Sequence, residues 1–517
     1  MKSVAAFALG LVALMVTHDA IAKDVRFALV IGHNSSDDPD LPELRYADDD
    51  ALRYYELLST LSERTELLAT LDDETQALAG DRRTKAPTRA MVLETMARLQ
   101  DDMDAVLARG DRPILYFFYS GHGNYDAEGR GYIHLADGRF TTRDLFHRVL
   151  EPTKAHPVVL LIDACNAALL VNSRGASGSK PQRRAATEST YRLENYPNIG
   201  VILASSTIAE THEWGRYLAG IFSHEVRSAL VGAADLDDDQ RVTFAELAAF
   251  VVGANAKVTN PNVRIQPYIR PPLSDPNMAV TELDAASNRV RIDRRVTGKT
   301  HLVDGDLVRY ADFNVTFEAR DGFWLVLTRP TEFVVVHDNA EWIIPANATG
   351  DIRMDGLATR PRTVLSARGA GSAYFDRTLF HEPFGKESAE RYLTDEYTNG
   401  LRIEHVLRQP WYNNVQAWTV LGSGLVVGAA GLGMHLHAQT LSDEANDPAT
   451  FANARADLNA DIDTFQTTAG VLYGIGGAAV LTSVCLFALD RPTTVETWDP
   501  PIRVDVTGTG VKLRGTW

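Results

Sequence analysis

Cysteine is nearly absent from this chain: of 517 residues only Cys165 and Cys485 carry a thiol. No disulfide framework is therefore implied. Cys485 falls inside a strongly apolar segment, which leaves Cys165 as the single thiol of the remainder. Basic residues are also in deficit. With 51 Lys and Arg against 68 Asp and Glu the formal charge is −17, which argues against a nucleic-acid partner, because phosphate backbones bind positive surfaces. No internal repeat is evident. What is present is the composition of a folded protein, 45% hydrophobic and 23% charged. At roughly 100–200 residues per domain, the length suggests two or three domains.

The first residues run Met1-Lys2-Ser3, an apolar stretch Val4–Val16, then Thr17–Ala22 ending in Ala20-Ile21-Ala22. That order is expected of a secretory signal over 1–22, with a mature chain from Lys23. An exported protein that keeps one unpaired thiol carries an oxidation liability, so Cys165 needs a reason. From Val25 to about Val252, apolar strand candidates (Phe27–Gly32, Ile114–Tyr119, Val158–Ile162 and Ile199–Ala204) alternate with amphipathic helices over Leu44–Leu61 and Arg89–Leu107. The strands are continuous apolar runs rather than alternating ones. This predicts an α/β domain over 23–272 whose mostly parallel sheet is sandwiched by helices. After Pro271-Pro272 short β-forming runs between turn residues predict a β-rich accessory domain over 280–405.

Two later segments, about Val415–Met434 and Thr468–Leu489, are each long enough to cross a hydrocarbon core of about 30 Å. Gly424 and Gly428, and Gly470 and Gly474, stand four apart and would let two helices approach closely. The expectation is a C-terminal transmembrane hairpin over 415–489 with a tail at 490–517. The protein would then be exported and membrane-anchored, with its α/β domain periplasmic or extracytoplasmic. The segment between the two runs holds Arg455 as its one basic residue among many acids. The positive-inside tendency would put that loop outside, against the orientation set by the N-terminal signal.

His122 and Cys165 each stand just beyond the carboxyl end of an apolar run, in Tyr119-Ser120-Gly121-His122-Gly123 and Leu161-Ile162-Asp163-Ala164-Cys165. Loops leaving that edge of an open parallel sheet converge into sites. A thiol is a poor nucleophile until ionised, and an imidazole can take its proton, then protonate the leaving amine. The backbone N–H groups of Gly123 and Cys165 are candidate donors to an oxyanion. No cofactor is required for such chemistry.

These motifs resemble the caspase and metacaspase family of cysteine peptidases. Asp163-Ala164-Cys165-Asn166 follows His122 at a distance similar to that in the caspase signature, and Gly32-His33-Asn34, the Leu44–Ala51 stretch and Ser205-Ser206 also look like this family. The resemblance covers about 25–255. It implies a caspase-like fold and endopeptidase activity on protein or peptide substrates. Asp163 replaces the glutamine of caspases, as in metacaspases and paracaspases, where the acid lines the primary specificity pocket and selects Arg or Lys. The segment Leu44–Ala51 is similar to the metacaspase stretch whose last acid shares that pocket, which maps onto Asp50. Two carboxylates facing one pocket would hold a guanidinium or ammonium. The metacaspase secondary cysteine is missing, with Ala47 in its place. A catalytically silent, membrane-tethered binding or scaffold protein is the alternative, and intact His122, Gly123 and Cys165 count against it.

Two further segments carry expectations. Asp235–Glu246 nearly fits a twelve-residue calcium loop, with oxygens from Asp235, Asp237, Asp239, Thr243 and Glu246 and the carbonyl of Arg241. Gln240 takes the place where glycine makes the sharp turn. An acidic loop capping the helix that starts at Phe244 has the same composition. Val171–Asn198 reads as a long exposed loop directly after Cys165, and caspases are processed in this region. Its basic residues Lys180, Arg183 and Arg184 are candidate self-processing positions.

Overall fold

The computed structural model describes residues 22–39, 41–126, 130–171, 193–205, 213–260, 263–317, 320–362, 370–393, 404–408, 414–489, 493–497, 503–507 and 510–514. The signal segment up to Ile21, Ser206, Lys180, Arg183, Arg184 and parts of the C-terminal tail lie outside the described residues.

Six strands form the central sheet: β1 (Asp24–His33), β2 (Arg64–Ala69), β3 (Arg112–Gly121), β4 (Val158–Asp163), β5 (Ile199–Ser205) and β6 (Gln266–Arg270). Their order is β6-β5-β4-β3-β1-β2. All neighbours are parallel except β6, which runs antiparallel to β5. The continuous apolar runs have the expected cause. Ala28, Val30, Tyr116, Phe118, Val159 and Leu161 enter one hydrophobic core, while Phe27, Leu29, Phe117, Tyr119, Leu160 and Ile162 enter the core on the opposite face. Alternate side chains thus point to two buried faces, so the middle of each of these strands is apolar on both sides.

Helix α1 (Ala47–Leu61) lies on the first face and α2 (Arg89–Ala108) on the second. The sequence pattern put the start of α1 at Leu44; the helix begins three residues later. Distant side chains supply its cap. Glu213 accepts the N–H groups of Arg45 and Tyr46, and Asn34 Oδ1 accepts those of Ala47 and Asp48. A Cβ at Gly32 would fall 2.6 Å from the Ala47 carbonyl oxygen, so glycine is what lets α1 cross the end of β1 this closely.

Helices α3 (Ile221–Ser228) and α4 (Phe244–Ala254) complete the first face, and both are buried along their whole length. What covers α3 is the β-rich part. Its five-stranded sheet includes Gly298–Asp304, Arg309–Val315 and Phe333–His337, and a three-stranded sheet includes Asn288–Asp293 and Gly322–Val326. Phe313, Phe323 and Val335 share one core with Tyr54, Phe118 and Phe244, and the described residues between 22 and 393 belong to one compact unit. Polar contacts cross the same boundary: His224 meets Asp312 at 2.9 Å and Arg53 meets Asp304 at 3.4 Å, all buried.

Residues 404–497 are a second unit. It holds two long helices, α5 (Val415–Asn446) and α6 (Ala452–Leu489), packed as a hairpin. The helices run past the predicted apolar ends, so the turn is confined to 447–451. Gly424, Gly431 and Gly476 line the helix contact, and a Cβ at Gly476 would lie 2.9 Å from the Gly424 carbonyl oxygen. Gly470 and Gly474 do not line it: each faces open space, because the crossing uses a different stripe of α6. Leu425, Val426, Leu432, Leu481 and Val484 are exposed on the outside of the hairpin.

Candidate active site

Ser120 and Asp163 are register partners on the adjacent parallel strands β3 and β4. His122 and Cys165 each follow two residues later, so both leave the same edge of the sheet from neighbouring strands. The two turns touch. A Cβ at Gly123 would lie 2.4 Å from the Cys165 carbonyl oxygen, and one at Gly131 would lie 2.4 Å from the Leu170 nitrogen. Gly123 therefore permits the closest approach of the chain that carries His122 to the chain that carries Cys165. Gly123→Ala should displace one turn from the other. Overpacking of this kind costs about 1–3 kcal/mol, seen as a lower melting temperature. Misplacing reacting groups by about 1 Å costs on the order of a hundredfold in rate, so activity should fall further than stability does.

The His122 turn is fixed from below. The Tyr119 hydroxyl lies 2.9 Å from the His122 carbonyl oxygen and 2.8 Å from that of His134, and His134 N–H donates to His122 O at 3.0 Å. His122 leads into a small antiparallel sheet of Gly123–Tyr125, Gly131–Leu135 and Gly138–Thr141. It is buried and stands edge-on to His134, with ring centroids 6.1 Å apart. Burial pushes the His134 imidazole below its ordinary range, against the pull of Asp37, whose carboxylate lies 2.6 Å from Nδ1. Burial also lowers His33, with His134 and His122 adding to the effect. On the other side, Cys165 is partly exposed. Asn166 takes a left-handed φ of 57°, a conformation that asparagine tolerates better than most residues, and turns the chain into the helix Ala167–Val171.

Asp50 and Asp163 meet although helix α1 and strand β4 carry them. Both are buried. Asp50 Oδ2 accepts the Gly220 N–H at 3.0 Å and the Ser120 hydroxyl at 3.2 Å, and Asp163 Oδ2 accepts the Ser223 N–H at 3.1 Å. A Cβ at Gly220 would lie 2.8 Å from Asp163 Oδ2 and 3.1 Å from Asp50 Oδ2, so one glycine separates the two carboxylates. The other oxygen of each has no hydrogen-bond partner among the described residues. Burial, and then the charge of Asp163, holds the Asp50 carboxyl well above the usual carboxylate range. Burial raises Asp163 to about 6.

Gly220, Ser223 and His134 escaped the sequence reading. Gly220 and Ser223 come from a stretch with no periodic pattern, and His134 is a single histidine in an apolar run. Ser120 was legible, because it belongs to the Ser-Gly-His-Gly motif.

The acidic loop stands apart as a second cluster between α3, with its continuation Ala229–Ala233, and α4. One carboxylate oxygen from each of Asp235, Asp237 and Asp239 lies within 4.8 Å of the others. Thr243 caps α4, its hydroxyl accepting the Glu246 N–H, while Glu246 Oε2 accepts from the backbone and hydroxyl of Thr243. Gln240 makes the turn at φ 68° without being glycine, and its side chain accepts from Arg289 Nη1 at 2.7 Å.

Comparison with known proteins gives one family. Residues 25–259 match the family model described as Caspase domain. Solved structures that align with the chain include a protein from Geobacter sulfurreducens, 15% identical, covering 50% of this chain and 97% of that one at a TM-score of 0.31. Caspase-1 from Spodoptera frugiperda is 14% identical, with coverage of 48% and 87% and a TM-score of 0.27. A structure of pro-sf-caspase-1 is 11% identical, with coverage of 50% and 94% and a TM-score of 0.28. A search of curated proteins finds no match.

Proposed function

Since residues 25–259 are a caspase-like α/β domain of the cysteine peptidase class, we propose that this protein is an endopeptidase that cuts after Arg or Lys with a Cys165–His122 dyad. The observation that carries the specificity is the pair of buried carboxylates beside the nucleophile's strand, each with one oxygen unsatisfied among the described residues. A substrate guanidinium or ammonium offers N–H donors and the positive charge that such oxygens need.

The chemistry follows from the two turns. The Cys165 thiol gives its proton to His122, and the thiolate adds to the scissile carbonyl carbon. The oxyanion takes hydrogen bonds from the N–H groups of Gly123 and Cys165. His122 then protonates the amine as the C–N bond breaks, leaving a thioester that water hydrolyses.

In this reading the α5–α6 hairpin anchors the protein in a membrane, supported by its length and its exposed apolar surface. The N-terminal segment directs the peptidase unit to the extracytoplasmic side.

The test is covalent labelling with thiol-reactive peptide probes. A probe ending in Arg should label Cys165, while one ending in Asp should not; labelling by the Asp probe alone overturns the assignment. The rate should also depend on pH with a definite sign. In the empty pocket both carboxyls titrate above their unfolded values, so they stabilise the fold at low pH and lose that contribution as pH rises, Asp163 through about 6. A bound guanidinium favours the ionised form instead. Affinity for the Arg probe should therefore rise with pH across that window, and the same measurement with a neutral residue in place of Arg should lack this dependence.

A further inference from the structure

Helix α3 carries donors to the pocket carboxylates, yet the groups that hold α3 in place come from other elements. At its start the Gly220 N–H bonds to Asp50 and the Ser223 N–H to Asp163. The Tyr54 hydroxyl donates to the Ser223 carbonyl at 3.0 Å, which ties that turn to α1. The next residue, His224, is bound to the β-rich part. Its Nε2 lies 2.9 Å from Asp312 Oδ2 on the strand Arg309–Val315, and its Nδ1 lies 3.0 Å from Arg227 Nη2. A guanidinium only donates, so Nδ1 accepts, and the ring proton sits on Nε2 and is donated to Asp312. Both ring nitrogens are thus engaged by a neutral imidazole. Burial pushes His224 down to about 4, which keeps it uncharged at neutral pH. Tyr217, from the segment leading into α3, stacks on the same ring with centroids 3.7 Å apart.

The grip is repeated one turn later. Ser228 Oγ donates to the His224 carbonyl at 2.8 Å and accepts the Asp312 N–H at 3.1 Å. Arg227 Nη2 also donates to the Arg309 carbonyl at 3.2 Å, and the Arg309 side chain pairs with the other oxygen of Asp312. His224, Arg227, Ser228 and Asp312 are each at most 1% exposed. Apolar contacts alone would bury α3 equally well but tolerate a small slide or rotation of the helix. A satisfied buried network with fixed donors and acceptors does not. The difference matters at Gly220, where a Cβ would lie 2.8 Å from Asp163 Oδ2 and 3.1 Å from Asp50 Oδ2. At that closeness a small shift of α3 alters its bonds to both carboxylates.

We propose that Asp312 and His224 are positioning residues of the peptidase, through which the β-rich part sets α3 against Asp50 and Asp163 and so maintains the preference for a basic substrate residue. The proposal rests on the Arg or Lys specificity argued above. It makes the strand Arg309–Val315 part of the enzyme's working structure, although no residue of that strand bonds to either pocket carboxylate among the described residues.

His224→Phe keeps a ring against Tyr217 but bonds to neither Asp312 nor Arg227, whereas His224→Gln has one donor and one acceptor and can keep both bonds. Full-length protein in detergent is assayed on two peptides that differ only in Arg or a neutral residue before the scissile bond. His224→Phe should lower the Arg-to-neutral ratio of kcat/KM by roughly 2- to 30-fold, and His224→Gln should hold it near the parent's. Asp312→Asn keeps the size but turns an amide NH2 towards one of two donors, so it should follow His224→Phe. Equal losses on both peptides would overturn the proposal, because a merely structural role weakens every substrate alike. Hydrogen exchange of the parent requires no variant to fold and no activity. Peptides covering 220–228 and 309–315 should exchange together as one cooperative unit. Exchange of 220–228 while 309–315 stays protected would overturn the proposal by itself. A parent with no preference for Arg fails at the specificity reading, whereas the exchange result tests the grip on α3 alone.

Discussion

Cys165→Ala should abolish peptide hydrolysis, and His122→Ala should lower it by about 10²–10⁴, the range of a general base and acid. The two changes remove different things. Without the sulfur no thioester forms, so burst labelling and turnover vanish together. Without the imidazole the thiol remains but its ionisation and the protonation of the amine are unassisted, so a slow, strongly pH-dependent rate should persist. Because the residues act as one unit, the double variant should be no worse than Cys165→Ala alone. Fold stability should change little in Cys165→Ala, since the thiol is partly exposed at a turn. Purified Cys165→Ala with the parent's turnover would remove the basis for calling the protein a peptidase.

The second large effect is expected at the pocket. Asp163→Asn keeps the shape, and its side-chain oxygen can still accept the Ser223 N–H, but the charge opposite a basic substrate is gone. A hydrogen bond to a charged group contributes about 1.5–3 kcal/mol, roughly ten- to more than a hundredfold in kcat/KM for Arg and Lys substrates. Substrates with a neutral residue at that place should be nearly unaffected. Asp50→Asn should act in the same direction. The two changes should not add, because one cation meets both carboxylates across Gly220. Equal losses on basic and neutral substrates would mean that the acids shape the fold rather than select the substrate.

How much of this was legible depended on the range of the signal. Four strands of the sheet were: a strand buried on both faces is apolar through its middle, and β1, β3, β4 and β5 each carry such a run, whereas the edge strands β2 and β6 do not. His122 and Cys165 were legible for a related reason, since Gly121, Gly123 and Ala164 are small residues placed where a strand stops and a turn must open. The start of α1 was not, because its cap comes from Asn34 and Glu213, far apart in sequence from each other. The hairpin's helices were visible as apolar runs, yet which glycines face inward depends on the crossing of two helices, and Gly470 and Gly474 turned outward.

By itself, then, the sequence determined whatever repeats over a few residues: the four apolar strands and the helices between them, the two turns that end in His122 and Cys165, the acidic loop and the two long apolar segments. These are set by backbone geometry and by which faces can be buried. The tertiary structure alone decided that Asp50 and Asp163 lie on either side of Gly220 and that His134 backs His122. Each joins residues from different elements, and a charge or a glycine in one segment carries no local mark of the segment it will meet. That choice is made by the packing of whole helices and sheets around two shared cores.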